Sequence, residues 1–170
     1  PTIPSPAPNI TFSGVTLDNF DYCNLGSLRQ SYTINDAWGV NQVALDLDRP
    51  TGANGQAVAL TYDITASGAD NYVGLQRDIP SAQQNWSHFR SVQFWVQNDA
   101  QPKDIVFQWG EAQTNDGEVW QANYQLLPGQ ADIFEIPLTK QNFTKTDWSP
   151  AGNDQMDLTQ VSFYAFFIEQ

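Results

Sequence analysis

The chain has 170 residues, 41% of them hydrophobic, which is enough for one globular domain with a hydrophobic core. Its net charge of −12 argues against nucleic acid, an anionic membrane or an acidic polysaccharide as a partner, since each of these requires basic patches. The single cysteine, Cys23, cannot form an internal disulfide, and no run of about 18 apolar residues is present that would span a membrane.

The predicted elements are short strands separated by turn residues. Residues 1–9 are rich in Pro, Ser and Thr, which is typical of an extended spacer, so we expect a linker or arm there and one domain over residues 10–170. Strands are predicted in chain order at residues 10–20 (one or two), 31–34, 43–47, 57–64, Tyr72–Asp78, 92–97, 104–110, Val119–Leu126, 132–137 and Val161–Glu169. A Pro- and Gly-rich turn is predicted at residues 49–55 and one helical turn at residues 81–88, capped by Ser81. A strand about every dozen residues indicates an all-β antiparallel β-sandwich of the jelly-roll type.

Strict alternation identifies three half-buried strands and the face that each turns outward. Apolar residues occupy every second position of residues 91–97 and of Val119–Leu126, and Val73 and Leu75 continue the pattern in Tyr72–Asp78. The outward positions on these three strands are Gln93, Trp95 and Gln97; Gln121, Asn123 and Gln125; and Tyr72, Gly74 and Gln76.

These outward positions carry amides and aromatics where an exposed sheet usually carries Lys, Glu and Thr. Across the chain, 18 Gln and 13 Asn residues outnumber the 19 acidic and 7 basic residues together. A planar amide offers paired donors and acceptors, and a flat aromatic offers an apolar platform with a polar edge. Both suit a neutral, hydroxyl-rich ligand such as a sugar chain. The predicted groove residues, provided that their strands share one sheet, are Tyr72, Gln76, Trp95, Gln97, Gln121 and Asn123.

The sequence contains no convincing set of catalytic residues. The only histidine, His88, lies in a predicted connector, and no strained nucleophile turn accompanies it. Glu111 and Glu118 flank the segment EAQTNDGE, and paired carboxylates are the usual apparatus of a glycosidase. They stand at strand ends on either side of a turn, where charged residues are ordinary. We therefore predict that the chain is not an enzyme and has no catalytic residues.

A calcium site is a weaker expectation, at the segment LDNFD of residues 17–21. Calcium takes six to eight oxygen ligands from carboxylates, amides and backbone carbonyls. Asp18, Asn19 and Asp21 offer three side chains of that kind, and turn residues before a strand would have the same composition. These three residues are the candidate metal ligands.

Seven segments of the chain resemble the family 11 carbohydrate-binding modules. They are LDNFD, NGQAVALTYDIT, NYVGLQRDI, SVQFWVQND, IVFQWGEAQTNDGEVWQANYQL, FEIPLTKQNF and TKTDWSPAGNDQMDLTQVSFYAFFI. The family is similar to the complex I intermediate-associated protein domain. The resemblance covers residues 15–168 and implies a galactose-binding-like β-sandwich.

The resemblance also implies a function. Modules of this family are non-catalytic, bind β-1,4 and mixed-linked β-1,3-1,4 glucans along a concave sheet face, hold structural calcium and are appended to secreted plant-polysaccharide hydrolases. By position, Tyr72 corresponds to a binding tyrosine, and Asp116 in NDGEVW to a binding aspartate. In TKTDW, the residues Lys145, Asp147 and Trp148 correspond to a basic–x–Asp–aromatic cluster of the family. Lys145 stands where the family can have Arg, and Trp148 stands where it can have Tyr.

The sequence thus predicts a secreted, non-catalytic module that binds neutral β-glucan and directs an appended hydrolase in the same chain to it. Three other interpretations remain open at this point. The chain can be a small β-sandwich glycosidase or lyase, a structural domain that packs against a catalytic domain, or an intracellular assembly chaperone.

Overall fold

The computed structural model describes residues 14–37, 42–49, 55–64, 71–98 and 101–169. The predicted linker at residues 1–9, part of the predicted strand at residues 10–20 and most of the predicted turn at residues 49–55 lie outside the described residues.

Six strands form one antiparallel sheet. They are β1 (Thr33–Asp36), β4 (Tyr72–Asp78), β6 (Lys103–Glu111), β7 (Val119–Leu126), β9 (Thr144–Lys145) and β10 (Val161–Glu169). Their order across the sheet is β1-β4-β10-β6-β7-β9. Two antiparallel pairs complete the strands: β2 (Gln42–Asp48) with β3 (Ala57–Asp63), and β5 (Ser91–Gln97) with β8 (Ala131–Pro137).

The core lies between the six-stranded sheet and the two small sheets. The ring of Phe94 on β5 is 5.5 Å from that of Phe107 on β6 and 4.9 Å from that of Phe166 on β10. Phe134 on β8 meets Tyr124 on β7 at 5.3 Å. Aromatic pairs at such distances add to the energy of apolar burial. These contacts across the two layers confirm the predicted all-β antiparallel sandwich.

The N-terminal part differs from the predicted strands. Residues 14–20 form no strand, because the Asp18 carboxylate accepts the N–H of Phe20 at 2.7 Å and Phe20 has a positive φ of 56°. The strand predicted at residues 31–34 begins two residues later, as β1, because Ser31 ends a short helix, α1 (Leu25–Ser31). Asn24 caps α1 by accepting the N–H of Ser27 at 3.0 Å.

The predicted helical turn at residues 81–88 is a shorter 3-10 turn, Ser81–Gln83, in which Pro80 takes the cap position without a side-chain bond. A second 3-10 turn, Gln113–Asn115, connects β6 to β7. In the described part of the chain, no helix is long and apolar enough to cross a membrane.

Candidate functional site

The outer face of the six-stranded sheet brings together four predicted groove residues: Tyr72, Gln76, Gln121 and Asn123. Because Phe107 and Trp109 point into the core, alternation turns Gln108 and its cross-strand partners outward. The four residues lie on β4 and β7, with β10 and β6 between them. Three strand spacings separate the two pairs, or about 14 Å. We call this surface the outer face.

Two phenylalanines occupy the middle of the outer face. Phe163 and Phe167 lie on β10, directly opposite Gly110 on β6 and Gly74 on β4. A Cβ at Gly110 would come within 2.0 Å of the Phe163 ring, and one at Gly74 within 2.3 Å of the Phe167 ring. Each ring therefore leans across the glycine opposite it, an arrangement in which an aromatic covers the gap left by a missing side chain. The Phe167 ring also meets Tyr72 edge-on at 5.2 Å.

Amide side chains on this face are held by one another across the strands. Asn35 Nδ2 donates to Gln76 Oε1 at 3.3 Å, and Gln108 Nε2 donates to Gln121 Oε1 at 3.1 Å. Each amide has two N–H donors and an oxygen with two lone pairs, so one such bond orients the group and leaves it capacity for a ligand hydroxyl. The amides are therefore presented in fixed orientations beside the two phenyl rings.

Two open depressions run along β7 on the outer face and share Asn123. One has a volume of about 350 Å³ and is lined by Gln121, Ala122, Asn123, Asn142 and Thr144. The other has a volume of about 260 Å³ and is lined by Asp104, Asn123, Tyr124, Gln125 and Glu169. A pair of connected open hollows suits a chain-like ligand better than an enclosed small molecule.

Trp95 and Gln97 are not part of this face, so the condition that the strands of all six predicted groove residues share one sheet is not met. Both lie on β5, which pairs with β8 in the opposite layer. Because Phe94 points into the core, Trp95 and Gln97 are turned to the far side of the molecule, where Trp95 is half-buried beside Ile133. Alternation shows which residues share a strand face, whereas strand pairing depends on long-range contacts.

Besides Tyr72, the family resemblance suggests four residues that lie at one end and edge of the six-stranded sheet: Asp116, Lys145, Asp147 and Trp148. Asp116 ends the 3-10 turn between β6 and β7 with a positive φ of 69° and is exposed. The backbone of Lys145 pairs with β7 on the edge strand β9, and its Nζ donates to the buried carboxylate of Glu118 at 2.8 Å. Trp148 is 62% exposed in the loop that follows.

Glu111 and Glu118 are buried structural groups, with exposed fractions of 2% and 0%. Glu111 Oε1 accepts from the indole N–H of Trp120 at 3.0 Å and from the backbone N–H of Asp157 at 2.9 Å. Glu118 Oε1 accepts the backbone N–H of Asp154 at 3.0 Å. Burial raises the pKa of Glu111, and the nearby negative charges add to the shift. These carboxylates bind backbone of the loop before β10, which is not the geometry of two groups flanking a scissile bond.

The residues near Asp18 do not fit a calcium cage. The Asp18 carboxylate forms an ion pair with Arg77 and accepts the hydroxyls of Tyr22 at 2.5 Å and Tyr32 at 2.8 Å. A guanidinium and two hydroxyl donors already satisfy oxygens that a metal would need. The Asn19 oxygen accepts the N–H of Asp21. Within the described ranges, no group of three or more His, Cys, Asp or Glu side chains is arranged to hold a metal ion.

Sequence reasoning missed Phe163, Phe167 and Gln108. The segment that carries the two phenylalanines, VSFYAFFIE, is apolar at nearly every position, so alternation does not show which residues face the core. The signal that was present is the pair of glycines, Gly74 and Gly110, which stand inside predicted strands. An isolated glycine in a strand often marks a place where another group approaches closely.

Comparisons with known proteins agree with this architecture. The family model described as carbohydrate binding domain (family 11) matches residues 4–170. A solved family 11 carbohydrate-binding module from Clostridium thermocellum, in complex with a β-1,3-1,4-mixed-linked tetrasaccharide, superposes with a TM-score of 0.65 at 20% identity. That match covers 82% of this chain and 79% of the other.

A second solved structure is the family 11 module of the cellulosomal cellulase Lic26A-Cel5E of Clostridium thermocellum. It superposes with a TM-score of 0.59 at 18% identity, covering 81% of this chain and 83% of the other. No curated protein matches the chain. The structural matches support the fold, and the family model spans nearly the whole sequence. The chain therefore belongs to family 11 of the carbohydrate-binding modules, which are non-catalytic.

Proposed function

We propose that the outer face of the six-stranded sheet binds a neutral β-glucan chain of the mixed-linked β-1,3-1,4 type. The observation that carries this proposal is the row of leaning phenyl rings flanked by oriented amides. The ligand class agrees with that of the solved family 11 module that contains a mixed-linked tetrasaccharide.

The chemistry of the face supports several weak contacts in a row. A sugar ring that stacks on a phenyl ring removes apolar surface from water, worth about 25 cal/mol per Å². Each hydrogen bond from an amide to a hydroxyl adds about 0.5–1.5 kcal/mol net. Micromolar affinity corresponds to about 8 kcal/mol, which requires several such contacts. Phe163 and Phe167 are four residues apart on one strand, a separation of about 13 Å, so one extended glycan chain can contact both.

In this proposal the residues have distinct roles. Phe163 and Phe167 are stacking platforms, and Tyr72 extends the platform at one end. Gln76, Gln121 and Asn123 hydrogen-bond sugar hydroxyls, and Gln108, which is only 7% exposed, orients Gln121. Trp148, Asp147 and Asp116 form the rim of the groove at the β6–β7 end.

We also propose that the module acts outside the cell and holds an appended glycoside hydrolase on its polysaccharide. The support is the cellulosomal cellulase that carries one of the similar modules and the spacer-like composition of residues 1–9. The ligand itself is an extracellular plant polymer.

The test is affinity electrophoresis of the module in gels that contain mixed-linked β-glucan, with soluble starch and pectate as the α-linked and acidic controls. We expect retardation in the β-glucan gel only, and no increase in reducing ends when the module is incubated with that polymer. Equal migration in all gels would contradict the proposed ligand.

A further inference from the structure

The loop that carries Trp148 is fastened to the sheet by a charge cluster around the buried carboxylate of Glu118. Lys145 Nζ donates to Glu118 Oε1 at 2.8 Å and also pairs with the carboxylate of Asp154. The same Glu118 oxygen accepts the backbone N–H of Asp154 at 3.0 Å. Lys145 on β9, Glu118 just before β7 and Asp154 in the far part of the loop thus meet at one point, which we call the clamp.

Further contacts fix the backbone on both sides of Trp148. Thr146 N donates to the carbonyl of Val119 at 2.9 Å, and Val119 N donates to the Ser149 hydroxyl at 2.9 Å. Gly152 packs so closely on the Glu118 side chain that a Cβ there would approach its carboxylate to 2.5 Å. The backbone is therefore held at Thr146, Ser149 and Asp154, while the Trp148 side chain between them stays 62% exposed.

The positive charge of Lys145 is needed within the clamp to neutralise Glu118. Glu118 has an exposed fraction of 0%, and removal of the cation beside it would leave a buried carboxylate uncompensated. Its second oxygen, Oε2, accepts no hydrogen bond within the described residues. The negative charge of Glu118 is therefore stabilised mainly by the Lys145 cation at Oε1. A hydrogen bond to a neutral sugar hydroxyl is weaker than the charge-assisted bonds to two carboxylates, so it would not draw the ammonium away from them.

We propose that Lys145 and Glu118 are positioning residues, which hold Trp148 at the rim of the groove, and that the Lys145 ammonium does not itself contact the glycan. This inference rests on the proposed glycan-binding function of the outer face. Lys145 would then differ from the basic residue of the family's basic–x–Asp–aromatic cluster, which the resemblance implies binds the ligand.

A double-mutant cycle between Lys145 and Trp148 tests the inference. Affinity for mixed-linked β-glucan is measured by calorimetry for the wild type, Lys145→Met, Trp148→Ala and the combined variant. We expect Lys145→Met to weaken binding about tenfold in the wild type and by less than about twofold when Trp148 is already absent. An equal loss in both backgrounds would show a direct contact and overturn the proposal.

Three control variants separate the clamp from general effects of charge and folding. Lys103→Met removes the same charge from a lysine that lies over the Tyr62 ring, away from the loop, and should leave the affinity unchanged. Lys145→Arg keeps the cation and should stay close to the wild type. Glu118→Gln combined with Lys145→Met removes both charges and should restore the melting temperature that Lys145→Met alone lowers; failure of this rescue would count against the clamp.

Hydrogen exchange of the free protein tests the clamp without any ligand. Lys145→Met should speed the exchange of the Asp154 amide at least about tenfold, because its acceptor sits in the broken cluster. Unchanged exchange would overturn the clamp even if the protein binds β-glucan. If the wild type fails to bind β-glucan while the exchange accelerates, the clamp stands and the proposed function fails.

Discussion

At the scale of single residues, Phe163 and Phe167 owe their positions to glycines on the neighbouring strands. Any side chain at Gly110 or Gly74 would lift the ring that leans over it, since a Cβ would come within 2.3 Å of ring carbons. The outer face is therefore shaped by two residues that have no side chain. Beneath the layer of rings and amides, Val106 and Ala165 are fully buried although they too lie on this face.

Replacing Phe163 with Ala should weaken β-glucan binding by about 1–3 kcal/mol, the size of stacking on other flat ligands. Because the ring is partly exposed above the sheet, the fold should persist. Calorimetric titration and a thermal melt of the same sample measure both quantities. Unchanged affinity would assign Phe163 to packing alone.

Glu111→Gln should flatten the dependence of stability on pH. Burial raises the pKa of Glu111, so between its ordinary and its raised value the folded chain binds more protons than the unfolded chain. Stability from this group is therefore fully present below the ordinary pKa and is lost as pH rises through the raised value. Glutamine keeps an oxygen for the two N–H donors and removes the titration.

Melting temperatures recorded from about pH 4 to about pH 8 measure this effect. Glu135→Gln is the matched control, since that exposed carboxylate accepts only a serine hydroxyl among the described contacts. The same slope for Glu111→Gln and the wild type would contradict a stability role for the raised pKa.

Asp18→Asn should destabilise the fold by about 2–4 kcal/mol, because a largely buried Arg77 would lose its counter-ion. The side chain of Asp18 is 7% exposed and that of Arg77 21% exposed. A chelator should shift the melting temperatures of the wild type and of Asp18→Asn to the same extent, since Arg77 rather than a metal neutralises this carboxylate. A large chelator effect that disappears in Asp18→Asn would instead restore the calcium site.

At the scale of elements, the sequence pattern predicted the bounds of β4, β7 and β10 as the structure has them, although only β4 and β7 alternate. It also assigned Val73 and Leu75 to the core and Tyr72 and Gln76 to the outer side of β4, and the buried pair is at most 7% exposed. Short elements escaped prediction: α1 spans seven residues with one fully buried side chain, and β9 spans two. Neither is long enough to show a period.

Which strands share a sheet was also beyond sequence reasoning. Residues 91–97 alternate as clearly as Val119–Leu126, yet β5 joins the opposite layer. The ring contacts of Phe94 with Phe107 and Phe166 determine that placement, and all three are far apart in sequence. Of the six predicted groove residues, four therefore share the outer face, and the strand patterns could not show that Trp95 and Gln97 lie in the other layer.

The position of β5 in the opposite layer predicts that mutations in the two layers affect glucan binding differently. Trp95→Ala should leave β-glucan affinity within about twofold of the wild type, because its side chain lies on the far side of the molecule. A parallel titration of Phe163→Ala provides the positive control. A loss of affinity in Trp95→Ala as large as in Phe163→Ala would move the groove to the small sheet.

At the scale of the whole molecule, one broad sheet presents its outer face while two small sheets close the core behind it. Seven residues of β6, from Asp104 to Gly110, extend for about 20 Å along that face. This length suits a polymer that binds across several sugar rings. The acidic charge of the chain, −12, is no obstacle to a neutral ligand.

The most direct test is an NMR titration of the isotope-labelled module with a mixed-linked β-1,3-1,4 tetrasaccharide. The side-chain amide signals of Gln76, Gln108 and Gln121 should shift as sugar is added, together with the backbone amides of β10. Signals of β5 and β8, including the Trp95 indole, should stay in place. Shifts confined to β5 and β8, or no shifts at all, would contradict the claim that the outer face of the six-stranded sheet binds glucan.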